Sequence, residues 1–290
     1  MLSMQDQSVL AYKYRAGEAA LRCLADGSLY FAAQDKLNDT LEAKFDLAES
    51  SVFLDTLAST LSEVASRKSG DDIVYLLSKD ISAAFDALHK GENQRFREAA
   101  QNVGIFSASI RPDNQALWAY YCNNSKGVCF ELEWSVDIMV SHQFWMTQVE
   151  YTEKPRLINR ANILIEMILE IESKHPDWPV EQIQDFSLSE AFRRELGIRT
   201  VANAVSIKHD DWQHEQELRL LSPNFGAIPL ISNVLKRVFF VRTDFPEWGP
   251  IMMLLNKNYP HVELVQVIFQ HRDPFVRLQP MSFRTVELNS

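Results

Sequence analysis

Strand-like apolar segments stand at the start, in the middle and at the end of this chain, and two long helical stretches separate them. A sheet built from such segments must pair strands that are distant in sequence. The pattern predicts a single α+β domain over residues 1–290. Its mixed or antiparallel sheet core comes from N-terminal, middle and C-terminal strands, with helical insertions at about 47–103 and 158–206.

Locally, Tyr12 to Arg15 reads as a strand, since tyrosine favours the pleated sheet. Gly17 to Ala25 follows as a helix with Ala20, Leu21 and Leu24 at helical spacing, closed by Gly27. Leu29–Ala32 is a short strand, and Asn38-Asp39-Thr40 with Glu42 reads as a turn or capping box. Val103–Ser109 reads as a buried strand ending in hydroxyls. Pro112-Asp113-Asn114 opens a short helix through Trp118, Tyr120 and Tyr121. Val128, Phe130, Leu132 and Trp134 alternate with Cys129, Glu131 and Glu133, the mark of a half-buried strand. Ile163, Met167, Ile168 and Ile171 form a helical stripe. Leu218–Leu221, Val238–Val241 and Val265–Phe269 read as strands, with a helix around Met252 to Leu255 between the last two.

Composition narrows the classes of function. Hydrophobic residues are 46% and charged residues 23%, values of an ordinary soluble protein. The three cysteines, Cys23, Cys122 and Cys129, have no metal-like spacing and read as reduced thiols of a cytoplasmic protein. The N-terminus lacks a basic region followed by an apolar run, and no stretch reaches the roughly 18 apolar residues of a membrane span. The net charge of -10 opposes nucleic-acid and anionic-membrane binding but permits a local basic pocket for a small nucleotide ligand. His209, His214, Asp210 and Asp211 match no metal-binding spacing, and no metal is expected. The chain contains no P-loop, no G-x-G-x-x-G and no nucleophile elbow.

The residues left to carry chemistry are few. On an extended backbone Glu215, Glu217 and Arg219 share one face. Two neighbouring carboxylates can divide labour. One holds a ribose hydroxyl and favours a developing cation, and the other takes a proton from a nucleophile. An exposed strand with a Glu–Arg salt bridge explains the same pattern. Arg15 can clamp a phosphate through its planar fork, or serve as a paired surface cation. Tyr12 and Tyr14 can stack on a base or pack in the core. Ser107 and Ser109 share a strand face and can contact a ligand or orient other side chains. Trp118 and Tyr121 are candidates for one wall of a nucleotide pocket as well as core filling.

Tyr12-Lys13-Tyr14-Arg15, Leu29-Tyr30-Phe31 and Leu37 to Glu42 resemble the opening of a bacterial family of unknown function numbered 2971, which commonly has proline where this chain has Thr40. Phe106-Ser107, Leu117 to Tyr121 and Lys126 to Phe130 resemble its middle signature, and Trp212 to Arg219 its late Trp-x-x-Glu-x-Glu-x-Arg signature. The order arginine, Ser-x-Ser, Glu-x-Glu is also similar to the arginine-serine-glutamate class of ADP-ribosyltransferases. That second resemblance implies an ADP-ribosyltransferase-like fold with NAD as substrate. Arg15 would bind phosphate, with Tyr14, Ser107, Ser109, Trp118 and Tyr121 around the ligand. Glu217 would be the essential carboxylate and Glu215 the group that assists the acceptor. It further implies an NAD-consuming enzyme, a transferase or glycohydrolase with a protein acceptor, of the kind used as bacterial toxins or in phage defence. The other classes open to the sequence are a non-catalytic nucleotide-binding or sensing module and a protein-interaction protein. The catalytic class requires Arg15, a serine of the pair and Glu217 to converge in one cleft.

Overall fold

The computed structural model describes residues 8–37, 46–47, 96, 98–153, 157–158, 160–187, 189–231, 233–270 and 273–280. In chain order the strands are β1 (Val9–Ala16), β2 (Ser28–Phe31), β3 (Asp46–Leu47), β4 (Gly104–Ser109), β5 (Gly127–Trp134), β6 (Trp145–Gln148) and β7 (Glu150–Thr152). They continue with β8 (Leu157–Ile158), β9 (Ile207–His209), β10 (Glu217–Ser222), β11 (Gly226–Pro229), β12 (Leu235–Phe240), β13 (Glu263–Gln270) and β14 (Asp273–Pro280). The fold is α+β. The chain forms two compact units where the sequence predicts one domain: Met1–Ala33, Gly104–Val149 and Asp211–Ser290 in the first, Gln34–Val103 and Glu150–Asp210 in the second.

The first unit is built on an eight-stranded mixed sheet in the order β14-β13-β12-β5-β1-β4-β10-β6. As expected, its strands come from the beginning, middle and end of the sequence. The neighbours are antiparallel except β12 and β13, which run parallel and are joined through the Trp248–Asn258 helix. One sheet face carries Ala11, Phe106, Phe130, Leu132, Leu220, Val238 and Phe240. It packs with Ala20 and Leu24 of the Gly17–Asp26 helix and with Ile251 and Leu255 of the Trp248–Asn258 helix. The other face carries Tyr14, Cys129, Phe239 and Val265 under Leu117 and Trp118 of the Gln115–Tyr120 helix. Each such large apolar side chain contributes roughly 1.5–3 kcal/mol by leaving water.

This second layer corrects the reading of β5 as half-buried. Cys129 and Glu131 lie as deep as Val128 and Phe130, because the short helix covers the face that alternation alone leaves to solvent. The Gln115–Tyr120 helix starts at Asn114, whose side-chain oxygen accepts the N–H groups of Ala116 and Leu117. It ends at Tyr120, and the turn beyond its C-cap contains Asn123, Asn124 and Ser125, all with positive φ.

Gly27 ends the first helix in the left-handed region at φ 58°. Gly127 is required for a different reason: a Cβ there would lie 2.2 Å from the Arg15 carbonyl oxygen across the β1–β5 pair. Gly127→Ala is therefore expected to destabilise the protein by about 3 kcal/mol. Gly249→Ala, in a helix with open space at that position, is expected to be stabilising by about 0.5 kcal/mol. Urea midpoints of the two variants check the contrast.

The second unit holds the helices Arg160–Lys174, Val180–Ser187 and Glu190–Ala204, the helical block expected near 158–206. Ile163 and Met167 of the predicted stripe are core residues, with Ile168 and Ile171 packed against them. Arg199 pairs bidentately with Glu170 at 2.9 and 3.0 Å and also with Glu195. Parallel pairs β3–β8 and β7–β9 complete what is described. Most of the predicted 47–103 helical block and the turn at Asn38–Glu42 lie outside the described residues.

Candidate functional site

Register across the first unit's sheet places polar side chains in one row. Tyr12 on β1 lies opposite Ser109 on β4, and Ser109 lies opposite Glu217 on β10. In the other direction Tyr12 lies opposite Glu131 on β5, Glu131 opposite Arg237 on β12, and Arg237 opposite Glu263 on β13. Directly paired residues share a sheet face, so all six belong to the side covered by the Gln115–Tyr120 helix.

Glu217 and Arg219 dominate one end of this row. Glu217 is 3% exposed and Arg219 is 0% exposed. The guanidinium is bidentate on the carboxylate, with Nε to Oε1 at 2.8 Å and Nη2 to Oε2 at 3.2 Å. Arg219 lies between Ser107 and Thr147 in the ladder, on a strand with neighbours on both sides. The pairing expected from the sequence is present, but the strand is interior and the ion pair is buried.

Glu215 is placed by different means. Asp210–Glu215 form a 3-10 turn, and Gln216 follows with φ 47°, so the backbone is not extended here as the sequence predicts and Glu215 is not on the β10 strand. Glu215 is nonetheless buried. Tyr121 donates its hydroxyl to Glu215 Oε1 at 2.6 Å, and Ser109 Oγ donates to the Glu215 carbonyl oxygen at 2.9 Å. Asn114 Nδ2 donates to the His214 carbonyl oxygen, tying the same turn to the helix cap. Tyr120, 69% exposed, stands edge-on to His214, which in turn stacks with Trp212.

The sequence candidates thus separate into groups. Ser109, Glu215, Glu217 and Tyr121 come together. Ser107 contributes its carbonyl oxygen to a hydrogen bond from Lys13 and adjoins Arg219. Trp118 and Tyr14 are core residues rather than pocket walls. Trp118 is 1% exposed, donates Nε1–H to the Pro112 carbonyl oxygen at 2.8 Å, and packs edge-on to Tyr14 at 5.3 Å. Tyr14 donates its hydroxyl to the Arg111 carbonyl and accepts the Asn114 N–H, and burial pushes its pKa well up.

Arg15 does not join them. Alternation along β1 sets Tyr12 and Tyr14 toward the polar row, so Lys13 and Arg15 project to the opposite face, the one carrying Ala11 and the Gly17–Asp26 helix. The convergence of Arg15 with Glu217 predicted from the sequence is not present, because the two residues differ in sheet-face parity. Arg15 is largely buried, and desolvation lowers its pKa. The groups that oppose this effect are the Cys23 and Cys122 thiols, and no carboxylate among the described residues pairs with it.

Three residues of the row, Glu131, Arg237 and Glu263, were not candidates in the sequence reading. Glu131 is 3% exposed and its Oε2 lies 3.5 Å from Arg237 Nη1; burial, together with the neighbouring Glu131 carboxylate, pushes the Tyr12 pKa up. The sequence carried no signal for Glu131, since it shares its alternation with Cys129 and Glu133 on the face read as solvent-facing. His209, Asp210 and Asp211 bring one ligand atom each within 4.8 Å, an arrangement of three consecutive residues that carries no further conclusion.

Among the described residues the three cysteines are free. Burial pushes Cys23 up to about 11 and Cys122 up to about 12 from an ordinary value of 9.0, and Cys129 well up. Native protein at pH 8 is expected to react with a chromogenic disulfide reagent roughly a hundredfold more slowly than denatured protein, because the thiolate is the nucleophile. Unfolded thiols release their protons near pH 9 and folded ones only near 11 to 12. Stability is therefore complete below pH 9 and falls as pH rises toward 12.

The fold and site define an α+β protein with a buried polar row across a mixed sheet. Residues 117–220 match the model of the family described as Protein of unknown function (DUF2971), which supports the chain's place in that family. The matched span contains Trp118, Tyr121, β5, and Glu215 through Arg219. No curated protein and no solved structure matches the chain.

Proposed function

We propose that this protein is a non-catalytic nucleotide-binding or sensing module whose anion-recognising group is Arg15. The observation that carries this reading is a largely buried guanidinium with no carboxylate partner among the described residues. Desolvating a cation without a counter-charge is costly, and a phosphate group would offset that cost through the guanidinium's planar fork. Glu217, by contrast, already has both oxygens on Arg219, so it has little left to offer a developing cation.

An NAD-cleaving transferase or glycohydrolase is the second reading: Ser109 and Glu217 share the row, but Arg15 lies on the opposite face, so another group would have to hold the phosphate. The two readings part in one experiment. Incubation with NAD is followed for nicotinamide release and, in parallel, for thermal stabilisation. The module reading expects stabilisation without release. Release that disappears in Glu217→Gln, at unchanged folding, would reverse the order of the two readings.

A further inference from the structure

On the sheet face of the polar row, the cover gives out in one direction on four adjacent strands. Along β1 the side chains pass from buried Tyr14 to half-buried Tyr12 and exposed Leu10. Along β12 they pass from buried Phe239 to exposed Arg237, and along β13 from buried Val265 to exposed Glu263. On β5, between β1 and β12, the same step leads from Cys129 to Glu131 and then to half-buried Glu133. Of Tyr12, Glu131, Arg237 and Glu263, which lie side by side, Glu131 alone is buried.

A buried carboxylate needs hydrogen-bond donors. Glu131 Oε2 is itself buried and accepts no hydrogen bond among the described residues. Arg237 stands beside it with Nη1 3.5 Å away, but donates its Nε–H to Glu263 Oε2 at 3.0 Å. The register of β12 against β5 shifts between Leu235 and Arg237, and two consecutive cations reach β5 as a result. Lys236 Nζ lies 3.1 Å from Glu133 Oε2, and Arg237 faces Glu131. The carboxylates of Glu131, Glu133 and Glu263 thus share only the cations of Lys236 and Arg237. The excess negative charge coincides with the oxygen that lacks a donor.

We infer that Glu131 Oε2 anchors the ammonium group of a small organic cation, received between Tyr12 and Arg237. The site lies on the opposite sheet face from Arg15 and does not rest on the nucleotide-binding reading. An ammonium group supplies N–H donors and positive charge together, the two things this oxygen lacks. Tyr12 is the direct ladder partner of Glu131, and its ring is fixed edge-on to Phe239 at 5.9 Å, so an aromatic surface stands beside the carboxylate to attract a cation. Arg237 is the cover that the ligand moves. It is exposed, and Glu263, which holds it, is more exposed still.

The test is a calorimetric titration of butylammonium chloride and, at equal ionic strength, tetramethylammonium chloride into the wild-type protein, Glu131→Gln and Arg237→Met. Tetramethylammonium carries the charge without an N–H donor. The wild type is expected to bind butylammonium and not tetramethylammonium. Glu131→Gln keeps the shape, removes the charge and is expected to bind neither. Arg237→Met removes the competing cation and is expected to bind butylammonium about tenfold more tightly. Because Arg237 is exposed, this variant reads the site even if Glu131→Gln does not fold. Equal binding of the two ions, butylammonium binding that survives in Glu131→Gln, or no gain in Arg237→Met overturns the assignment. So does the absence of binding in both the wild type and Arg237→Met.

Discussion

Arg219→Met is expected to destabilise the protein by about 3–5 kcal/mol, the effect of leaving a buried carboxylate without its partner. Both members of the pair are buried, and the guanidinium holds both oxygens of Glu217. The variant removes the cation and leaves the charge, which must then be protonated or hydrated in a site walled by β4 and β6. Removing both charges together, as in Glu217→Leu with Arg219→Met, is expected to recover most of that loss, since a buried ion pair exchanged for apolar groups of similar volume is often nearly neutral. Urea unfolding of the two single variants and the double variant measures the coupling. A loss below about 1 kcal/mol in Arg219→Met would show that the pair is solvated and that β10 is not interior. The same logic bears on enzymology. Any loss of activity in a Glu217 variant must be read against its folding.

Trp118→Ala carries the second large effect, about 3–5 kcal/mol, because it empties the layer between the Gln115–Tyr120 helix and the sheet. The ring is fully buried, packs edge-on to Tyr14 and fixes the loop through Pro112. Trp118→Phe retains the apolar body but orphans the Pro112 carbonyl oxygen, and is expected to cost about 1–2 kcal/mol. Thermal unfolding of the two variants ranks the terms. A pocket-wall tryptophan would instead show little change in stability on either substitution and a change in ligand affinity.

Much of the fold was legible because the periodicities were clear. The strands at β1, β5, β10, β12 and β13, the glycine at 27 and the helix opening at Pro112-Asp113-Asn114 all follow from local pattern. The second layer over β5 was not legible, because the helix that covers Cys129 and Glu131 pairs with that face only in three dimensions. The Glu215–Glu217 relationship failed for a local reason: Gln216 adopts a left-handed conformation that sequence does not announce for glutamine, and period-two counting fails across it. Arg15 and Glu217 were separated by strand parity. Each looked right within its own motif, but the register through β4 fixes Tyr12, not Arg15, on the side of Glu217.

The most direct test of the account is thermal unfolding of the wild-type protein and Arg15→Met, each with and without millimolar ADP. A desolvated guanidinium with no carboxylate partner among the described residues is retained at a cost to stability, and ligand binding offsets that cost. The account predicts that Arg15→Met is at least as stable as the wild type without ligand, and that ADP raises the unfolding temperature of the wild type alone. An Arg15→Met protein that is less stable without ligand and equally stabilised by ADP would contradict it, and would assign Arg15 to the scaffold.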